Sequence, residues 1–145
     1  MRAVSLWQPW ASAIALGLKR IETRHWSTAY RGLLAIHAAK RWTADERDFH
    51  ELEVEAGRMP PEIPLGAVVA IARLADIRPT EQLVDRISDQ ERSWGNYGGG
   101  RFGWILEDIR ALPTPIPFRG AQALFDVPDE LLGAQPPAPR QGRLI

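Results

Sequence analysis

Two long apolar runs dominate the pattern of hydrophobic and polar positions, and both predict buried strands. In the run 31–40 both alternating sets of residues are largely apolar, which indicates a strand covered on its two faces. The run 66–77 is rich in Val and Ile and predicts a second buried strand. Shorter segments predicted to be extended are 3–7, 21–24, 102–109 and 121–127.

Helix signals lie between these strands. Pro9 fits the first turn of a short helix over 10–16, where its missing N–H is not needed, and Gly17 supplies the stop. A further helix is predicted from residue 80 to about residue 88. Three prolines at 113, 115 and 117 are expected to force an extended crossing before the last strand.

The clearest helix signal is a capping box at Thr43 and Glu46, in which the glutamate reaches back to the residue that starts the helix. This helix is predicted to run to about residue 56. We expect Phe49 and Leu52 on its inner face, with Glu53 on a solvated acidic side.

Strands and helices are interspersed, but the helices are too few and uneven for a doubly wound sheet. The predicted fold class is therefore α+β, a small mixed β-barrel with a few peripheral helices. At 145 residues the chain is most simply one domain. We expect that domain over 1–132 and a mobile Pro-rich tail over 133–145.

Composition narrows the class of protein. The hydrophobic share of 45% and the charged share of 25% are typical of a soluble globular chain. No apolar run has the length of a membrane span, the first residues lack the apolar core of a signal peptide, and there is no cysteine. The three histidines show no metal-ligand spacing. We expect a cytoplasmic protein with no membrane partner, no metal and no other cofactor.

Charge is balanced overall but unevenly distributed. Residues 1–42 carry seven basic side chains and a single acidic one, whereas residues 43–91 carry twelve acidic side chains and five basic ones. Such asymmetry can place a positive cleft on a neutral protein and concentrate anionic ligands there. Scattering of these charges over the folded surface is the alternative.

The basic residues comprise sixteen arginines and only two lysines, Lys19 and Lys40. Arginine is a planar fork that stays charged, whereas lysine is a compact charge whose pKa shifts on burial and which can act as a base. Lys19 precedes Glu22 by three residues, a spacing at which the two can be neighbours. This pair can receive a phosphate or a base edge, exchange protons with a substrate, or form a structural ion pair beside Arg24.

Other side chains suit a nucleic-acid ligand. Arg24, Arg31 and Lys40 are candidates for phosphate contacts. Four of the six tryptophans lie in the basic segment 1–42, and their faces suit stacking on unpaired bases, although tryptophan is also a common core residue. Trp26 is the candidate taken from this group.

The segment 93–101 contains three consecutive glycines, which let backbone N–H groups approach a ligand. Asn96, Tyr97 and Arg101 add amide, ring and guanidinium groups. The segment lacks the Gly-Lys-Ser/Thr ending of a nucleotide-binding loop, so a triphosphate site is not expected. It is either a wall of the binding cleft or a flexible hairpin loop.

A known signature runs through the first third of the chain. Leu6-Trp7-Gln8-Pro9-Trp10-Ala11, followed by the Gly-x-Lys-x-x-Glu-x-Arg spacing from Gly17 to Arg24, resembles the ASCH domain family. The likeness continues through Trp26 and Arg31-Gly32 and is looser after residue 42. It implies a PUA-like β-barrel that binds RNA or other nucleic acid in a cleft beside the motif.

The resemblance also implies an enzymatic alternative. Some bacterial members of the family look like amidohydrolases acting on an acylated cytidine nucleoside, with the motif lysine, a threonine three residues later and a glutamate from elsewhere. Lys19 matches that lysine, but Glu22 occupies the threonine position, and on a strand Thr23 would face the opposite side. Ribonuclease activity has also been proposed for bacterial members.

The first hypothesis is therefore an ASCH-type domain that binds RNA or single-stranded nucleic acid through a positively charged cleft. The alternative is a hydrolase acting on an N4-acetylcytidine-type nucleoside, or a ribonuclease, with Lys19 and Glu22 in acid–base roles. A protein-interaction module is the third option, and the oligomeric state is left open. The candidate binding residues are Lys19, Glu22, Arg24, Trp26, Arg31, Lys40, Asn96, Tyr97 and Arg101.

Overall fold

The predicted apolar runs form the strands of one sheet. The computed structural model describes residues 1–133, so the predicted mobile tail lies outside the described residues apart from Gly133. The strands are β1 (Arg2–Leu6), β2 (Ile21–Arg24), β3 (Gly32–Ala38), β4 (Ala67–Pro79), β5 (Phe102–Pro117) and β6 (Phe125–Asp126). The helices of this part of the chain are α1 (Trp10–Ala15), α2 (Ala44–Glu55), α3 (Thr80–Leu83), α4 (Asp89–Ser93) and α5 (Asp129–Leu132).

The six strands are hydrogen-bonded in the order β2-β5-β4-β3-β1-β6, so β2 and β6 form the edges. Only β1 and β3 are parallel, and the other neighbours are antiparallel. Register shifts interrupt the pairing of β4 with both β3 and β5, and such irregularities bend a sheet. The result is a curved, barrel-like sheet that does not close on itself, with short helices around it. The predicted α+β class is confirmed.

Both faces of the central strands are covered, as the apolar runs predict. On one face Leu34 and Ile36 of β3 pack in a cluster with Ile14 of α1 and Trp104 of β5. On the other face the alternate residues of β3 and β4 pack with Leu132 of α5. This two-sided burial explains why the two central strands lack the polar alternation of a half-exposed strand.

The three prolines, predicted to form an extended crossing after a strand over 102–109, lie within β5, which extends to Pro117. The edge strand β2 pairs only with Phe102–Ile105, so within residues 1–133 the rest of β5 has β4 on one side and no strand on the other. A residue without an N–H is tolerated along such a free edge. The proline run therefore lengthens the strand rather than ending it.

Helix α2 begins where the capping box predicts, and Phe49 packs inward as predicted, but the predictions for Leu52 and Glu53 are wrong. The Glu46 carboxylate accepts from the Thr43 backbone N–H and hydroxyl, each at 2.6 Å. Glu46 and Glu53 are buried, whereas Leu52 is 61% exposed. Glu53 is neutralised by the Arg58 guanidinium at 2.6 Å, and pairing of this kind permits burial of a carboxylate.

The helix predicted over 80–88 is also wrong in its extent, because α3 ends at Leu83. A second turn, α4, starts after Ser88, whose hydroxyl accepts from the Glu91 backbone N–H at 3.1 Å. The break places α4 and the following loop beside β2. Among residues 1–133 no helix has the length and apolar character needed to cross a membrane.

Candidate nucleic-acid interface

An open cavity of about 620 Å³ lies where the end of β1, strand β2 and the loop 93–101 meet. Its aromatic lining comprises Trp7, Trp10, Phe49 and Trp94. Its charged and amide side chains include Glu22, Arg24, Asn96 and Arg101, all of them predicted binding residues. We call this cavity the cleft.

The turn after α1 directs Lys19 into the protein. Gly17 has a positive φ of 81°, and the N–H of Leu18 returns to the carbonyl of Ala13 at 2.9 Å, so the chain reverses after one short helix. The Lys19 side chain is then only 1% exposed. Its ammonium donates to the carbonyl oxygens of Ile21 at 2.6 Å and Trp94 at 2.8 Å.

Lys19, Glu22 and Arg24 form a chain of alternating charges. The Lys19 ammonium lies 3.6 Å from one carboxylate oxygen of Glu22, and the Arg24 guanidinium donates to the other at 3.0 Å. Burial lowers the pKa of Lys19, and the negative charges of Glu22 and Glu91 oppose that shift. Glu22 and Arg24 share one face of β2 and line the cleft, with Lys19 fixed behind them. The neighbouring pair that the spacing suggested is present.

The outer edge of β2 is covered by the segment that contains α4 and the loop after it. The Glu91 carboxylate accepts from the backbone N–H groups of Arg20 and Ile21 at 3.0 Å. The Asn96 N–H donates to the Thr23 hydroxyl at 2.9 Å. These contacts satisfy an edge that would otherwise expose unpaired backbone groups, and they hold the two walls of the cleft together.

The glycine-containing loop is a wall of the cleft and is internally braced. Arg101 donates to the carbonyl oxygens of Asn96 at 3.0 Å and Thr23 at 3.1 Å. The Tyr97 hydroxyl is buried and has no hydrogen-bond partner among the described residues. Burial raises the pKa of Tyr97, and the Glu91 carboxylate raises it further, so the phenol stays protonated.

Aromatic side chains form the floor and one lip of the cleft. Trp10 stacks on Phe49 with a centroid separation of 5.3 Å, and Phe49 meets Trp94 edge to face at 5.1 Å. Trp7 is 51% exposed, and the Arg41 guanidinium lies 3.9 Å from the centroid of its ring. This is a cation–π pair on an exposed aromatic surface.

The structure separates the other predicted residues from the lining. Trp26 packs edge to face on Trp104 at 4.9 Å, with the Arg24 guanidinium 5.5 Å from its ring centroid. Arg31 immediately precedes β3, and its guanidinium lies 3.7 Å from the Asp76 carboxylate. Lys40 lines a different cavity. Trp26, Arg31 and Lys40 thus stay predictions as ligand contacts, but they do not line the cleft.

Trp26 is the candidate taken from the four tryptophans of the basic segment, but Trp7 and Trp10 of that segment line the cleft instead, together with Trp94. All six tryptophans are visible in the sequence, but no pattern separates a core indole from an exposed one. Trp7 and Trp10 flank the Gln-Pro dipeptide that starts α1, and this position between a strand and a helix end was the available signal.

The described lining of the cleft contains more arginine than carboxylate side chains. Glu22 is its one carboxylate, and both of its oxygens face a cation. The two arginines of the lining are Arg24 and Arg101. No group of three or more His, Asp or Glu side chains suited to a metal ion occurs within residues 1–133.

Comparisons with known proteins agree with the motif. The ASCH domain family profile matches residues 4–113. Activating signal cointegrator 1 of Mus musculus and that of Homo sapiens are each 25% identical over 134 residues. The match covers 88% of this chain but 22% of each cointegrator, so the chain spans about a fifth of the length of these relatives.

Solved structures share the fold. The crystal structure of ASCH from Zymomonas mobilis has a TM-score of 0.55 at 20% identity and covers 90% of both chains. A tyrosine-to-phenylalanine mutant of that protein gives a TM-score of 0.56, also at 20% identity, and the match covers 90% of this chain and 92% of that one. At this identity the likeness concerns the fold, and it confirms the predicted ASCH-type architecture.

Proposed function

Because the chain belongs to the ASCH domain family, we propose that it binds RNA or single-stranded nucleic acid in the cleft beside Glu22 and Arg24. The observation that carries the proposal is the charge chain from buried Lys19 through Glu22 to Arg24, which opens into an aromatic-lined cavity. The Arg24 guanidinium and the Glu22 carboxylate are held there next to the exposed ring of Trp7. An unpaired nucleotide offers a phosphate, a base edge and a base face, one for each of these groups.

Each part of a nucleotide has a matching group in the cleft. Arg24 and Arg101 supply guanidinium donors for phosphate oxygens. The Glu22 carboxylate can accept from the exocyclic amine of a base. Trp7, with half of its surface exposed, offers a ring for base stacking, which contributes about 1–3 kcal/mol per base. Arg41 on the same ring adds a further positive charge at the lip.

Binding to a short oligouridylate, measured by fluorescence anisotropy at several salt concentrations, tests the proposal. Removing one phosphate contact lowers the slope of log K against log salt by about 0.7 for a single strand, so we expect that change in Arg24→Gln. Arg47→Gln is the matched control, since Arg47 is exposed on α2 and lines neither the cleft nor the cavity that contains Lys40. Absence of salt-sensitive binding to both single-stranded RNA and DNA would contradict the proposal.

The hydrolase alternative stays a prediction. One observation favours it, since burial lowers the pKa of Lys19 next to a carboxylate, as proton transfer near neutral pH requires. The geometry favours binding instead, because the ammonium already donates to two carbonyl oxygens and faces Glu22, with 1% of the residue exposed.

Turnover distinguishes these two functions. If the alternative holds, N4-acetylcytidine or RNA is hydrolysed, and Glu22→Gln abolishes that hydrolysis while the protein remains folded. Binding of the oligouridylate without turnover of either substrate supports the binding function alone.

A further inference from the structure

A second open cavity, of about 920 Å³, lies at the ends of the parallel strands β1 and β3 and beneath the segment 117–122. Ser5 and His37 are register partners on these strands, and both line the cavity. Ser5 also lines the cleft, so the two cavities meet at this residue. We call the second cavity the Lys40 cavity.

Two cations without partners characterise the Lys40 cavity. Lys40 and Arg119 are both exposed, and neither has an ion pair or side-chain hydrogen bond within the described part of the chain. No Asp or Glu is present among the described lining residues. A cavity with two unpaired cations and no acid is positive throughout, and it attracts anions.

Two glycines shape the cavity around these groups. The stem of Lys40 lies over Gly66 so closely that a Cβ there would be 2.9 Å from two of its carbons. At Gly120 a Cβ would be 2.7 Å from the His37 ring and 3.1 Å from the Ser5 hydroxyl. The glycines thus let the lysine stem and the segment 117–122 approach the strand ends, and they narrow the cavity.

Two hydrogen bonds hold the buried His37 ring in one orientation. Phe118 offers only a carbonyl oxygen to His37 Nε2 at 2.7 Å, so Nε2 carries a hydrogen. The Ser5 hydroxyl lies 2.9 Å from Nδ1 and donates to it when the ring is neutral. Phe118 also donates its N–H to the Gly66 carbonyl at 3.1 Å, which fixes the segment carrying Arg119.

We propose that the Lys40 cavity binds a phosphate group, with Lys40 and Arg119 as its two cationic ligands. Lysine supplies a compact charge and arginine a planar fork of donors, a combination suited to a phosphate oxygen cluster. The cavity adjoins the cleft at Ser5, so the phosphate belongs to a nucleotide next to the one bound there. This last step rests on the proposed function, whereas phosphate binding itself does not.

The test compares two probes, inorganic pyrophosphate and the short oligouridylate, on the full chain. Pyrophosphate binding is followed through the amide NMR signals of Gly66 and Gly120, and oligouridylate binding through its salt slope. Lys40→Gln and Arg119→Gln are expected to abolish the pyrophosphate-induced shifts and to lower the oligouridylate slope by about 0.7 each. Arg47→Gln, an exposed cation on α2 outside both cavities, should change neither readout.

The outcomes separate the two proposals. A lower salt slope of oligouridylate binding in both Lys40→Gln and Arg24→Gln supports the phosphate site and the proposed function together. Loss in Arg24→Gln with Lys40→Gln and Arg119→Gln unchanged in both readouts overturns the phosphate site and leaves the proposed function intact. Pyrophosphate shifts that depend on Lys40, in a protein that binds no oligouridylate, support a site for a free phosphate compound and contradict the proposed function. If neither pyrophosphate nor oligouridylate binds, the phosphate site and the proposed function are both overturned.

Discussion

The two lysines of this chain occupy opposite environments. Lys19 is 1% exposed and directs its ammonium at two backbone carbonyls and a carboxylate. Lys40 is exposed, rests its stem on Gly66 and has no partner for its ammonium in the described residues. The same side chain is a cross-link between two parts of the backbone in one place and an available positive charge in the other.

The difference shows that the motif lysine shapes the cleft from inside the protein rather than lining it. Lys19 fixes Glu22 from behind and ties β2 to Trp94, so it positions the groups that line the cleft. Lys40, outside the Gly-x-Lys-x-x-Glu-x-Arg motif, is the lysine whose charge is accessible. Residue type and motif position alone would assign these two roles the other way round.

Chemical labelling gives the largest expected contrast. An amine-reactive ester should modify Lys40 readily and Lys19 at least about a hundredfold more slowly, because a local opening that costs only about 3 kcal/mol slows modification by that factor. Peptide mass spectrometry at short reaction times measures both rates. Unfolding in urea should equalise them, and equal rates in the native protein would contradict the buried position of Lys19.

Replacing each lysine by methionine tests the same contrast through the free energy of unfolding. Lys19→Met removes one partner of a buried ion pair and two hydrogen bonds, so we expect a loss of about 3–5 kcal/mol in the free energy of unfolding. Lys40→Met is the matched control, with an expected change within about 0.5 kcal/mol. Urea denaturation measures both. Adding Glu22→Gln to Lys19→Met should restore part of the loss, since the unpaired carboxylate is then removed.

The next test concerns the Glu91 carboxylate, which covers the outer edge of β2. In Glu91→Ala the backbone N–H groups of Arg20 and Ile21 lose their carboxylate acceptor, and we expect a loss of about 1–3 kcal/mol. Glu55→Ala, on the exposed side of α2, is its control and should change little. Hydrogen exchange should show faster opening at residues 20 and 21 in Glu91→Ala. Unchanged protection there would mean that the carboxylate does not hold this edge.

The smallest expected effect is a pH dependence of the free energy of unfolding that comes from His37, which lines the Lys40 cavity. Burial lowers the pKa of His37 below its usual value of 6.5, while the hydrogen bond to Phe118 opposes the shift. The unfolded chain therefore binds a proton more readily, so His37 contributes stability above pH 6.5 that is lost as the pH falls towards its folded pKa. NMR titration of the His37 ring and urea midpoints across this window measure the effect. Loss of stability on raising the pH through it would contradict the sign.

Local sequence patterns predicted the central strands and the contact of Lys19 with Glu22, whereas β5 is longer and β6 shorter than predicted. The two apolar runs became β3 and β4, and the three-residue spacing anticipated the ion pair of Lys19 with Glu22. These features depend on neighbours in the sequence or on burial alone. For the same reason the capping box at Thr43 correctly marked the start of α2.

What the sequence did not reveal depends on distant partners. Helical periodicity places Glu53 on a solvated side. Its partner Arg58 lies after the end of α2, so this periodicity does not indicate the pair that permits its burial. The Trp94 carbonyl that accepts from Lys19 is a backbone group, and no residue type signals it. Lys40 and Arg119 are far apart in the sequence, and the pairing of both Ala38 and Pro117 with Ala67 brings the segments that carry them to one cavity.

The hydrogen bond from Lys19 to Trp94 spans 75 residues, and this separation bears on the order in which the protein is made. The motif from Gly17 to Arg24 leaves the ribosome before the Trp94 carbonyl that completes the set of Lys19 acceptors, because β3, α2 and β4 lie between them in the sequence. Closing so long a loop carries an entropic cost that local contacts do not repay. During synthesis the Lys19 ammonium can meet Ile21 and Glu22 at once, whereas its bond to the Trp94 carbonyl forms only after residue 94 has been made.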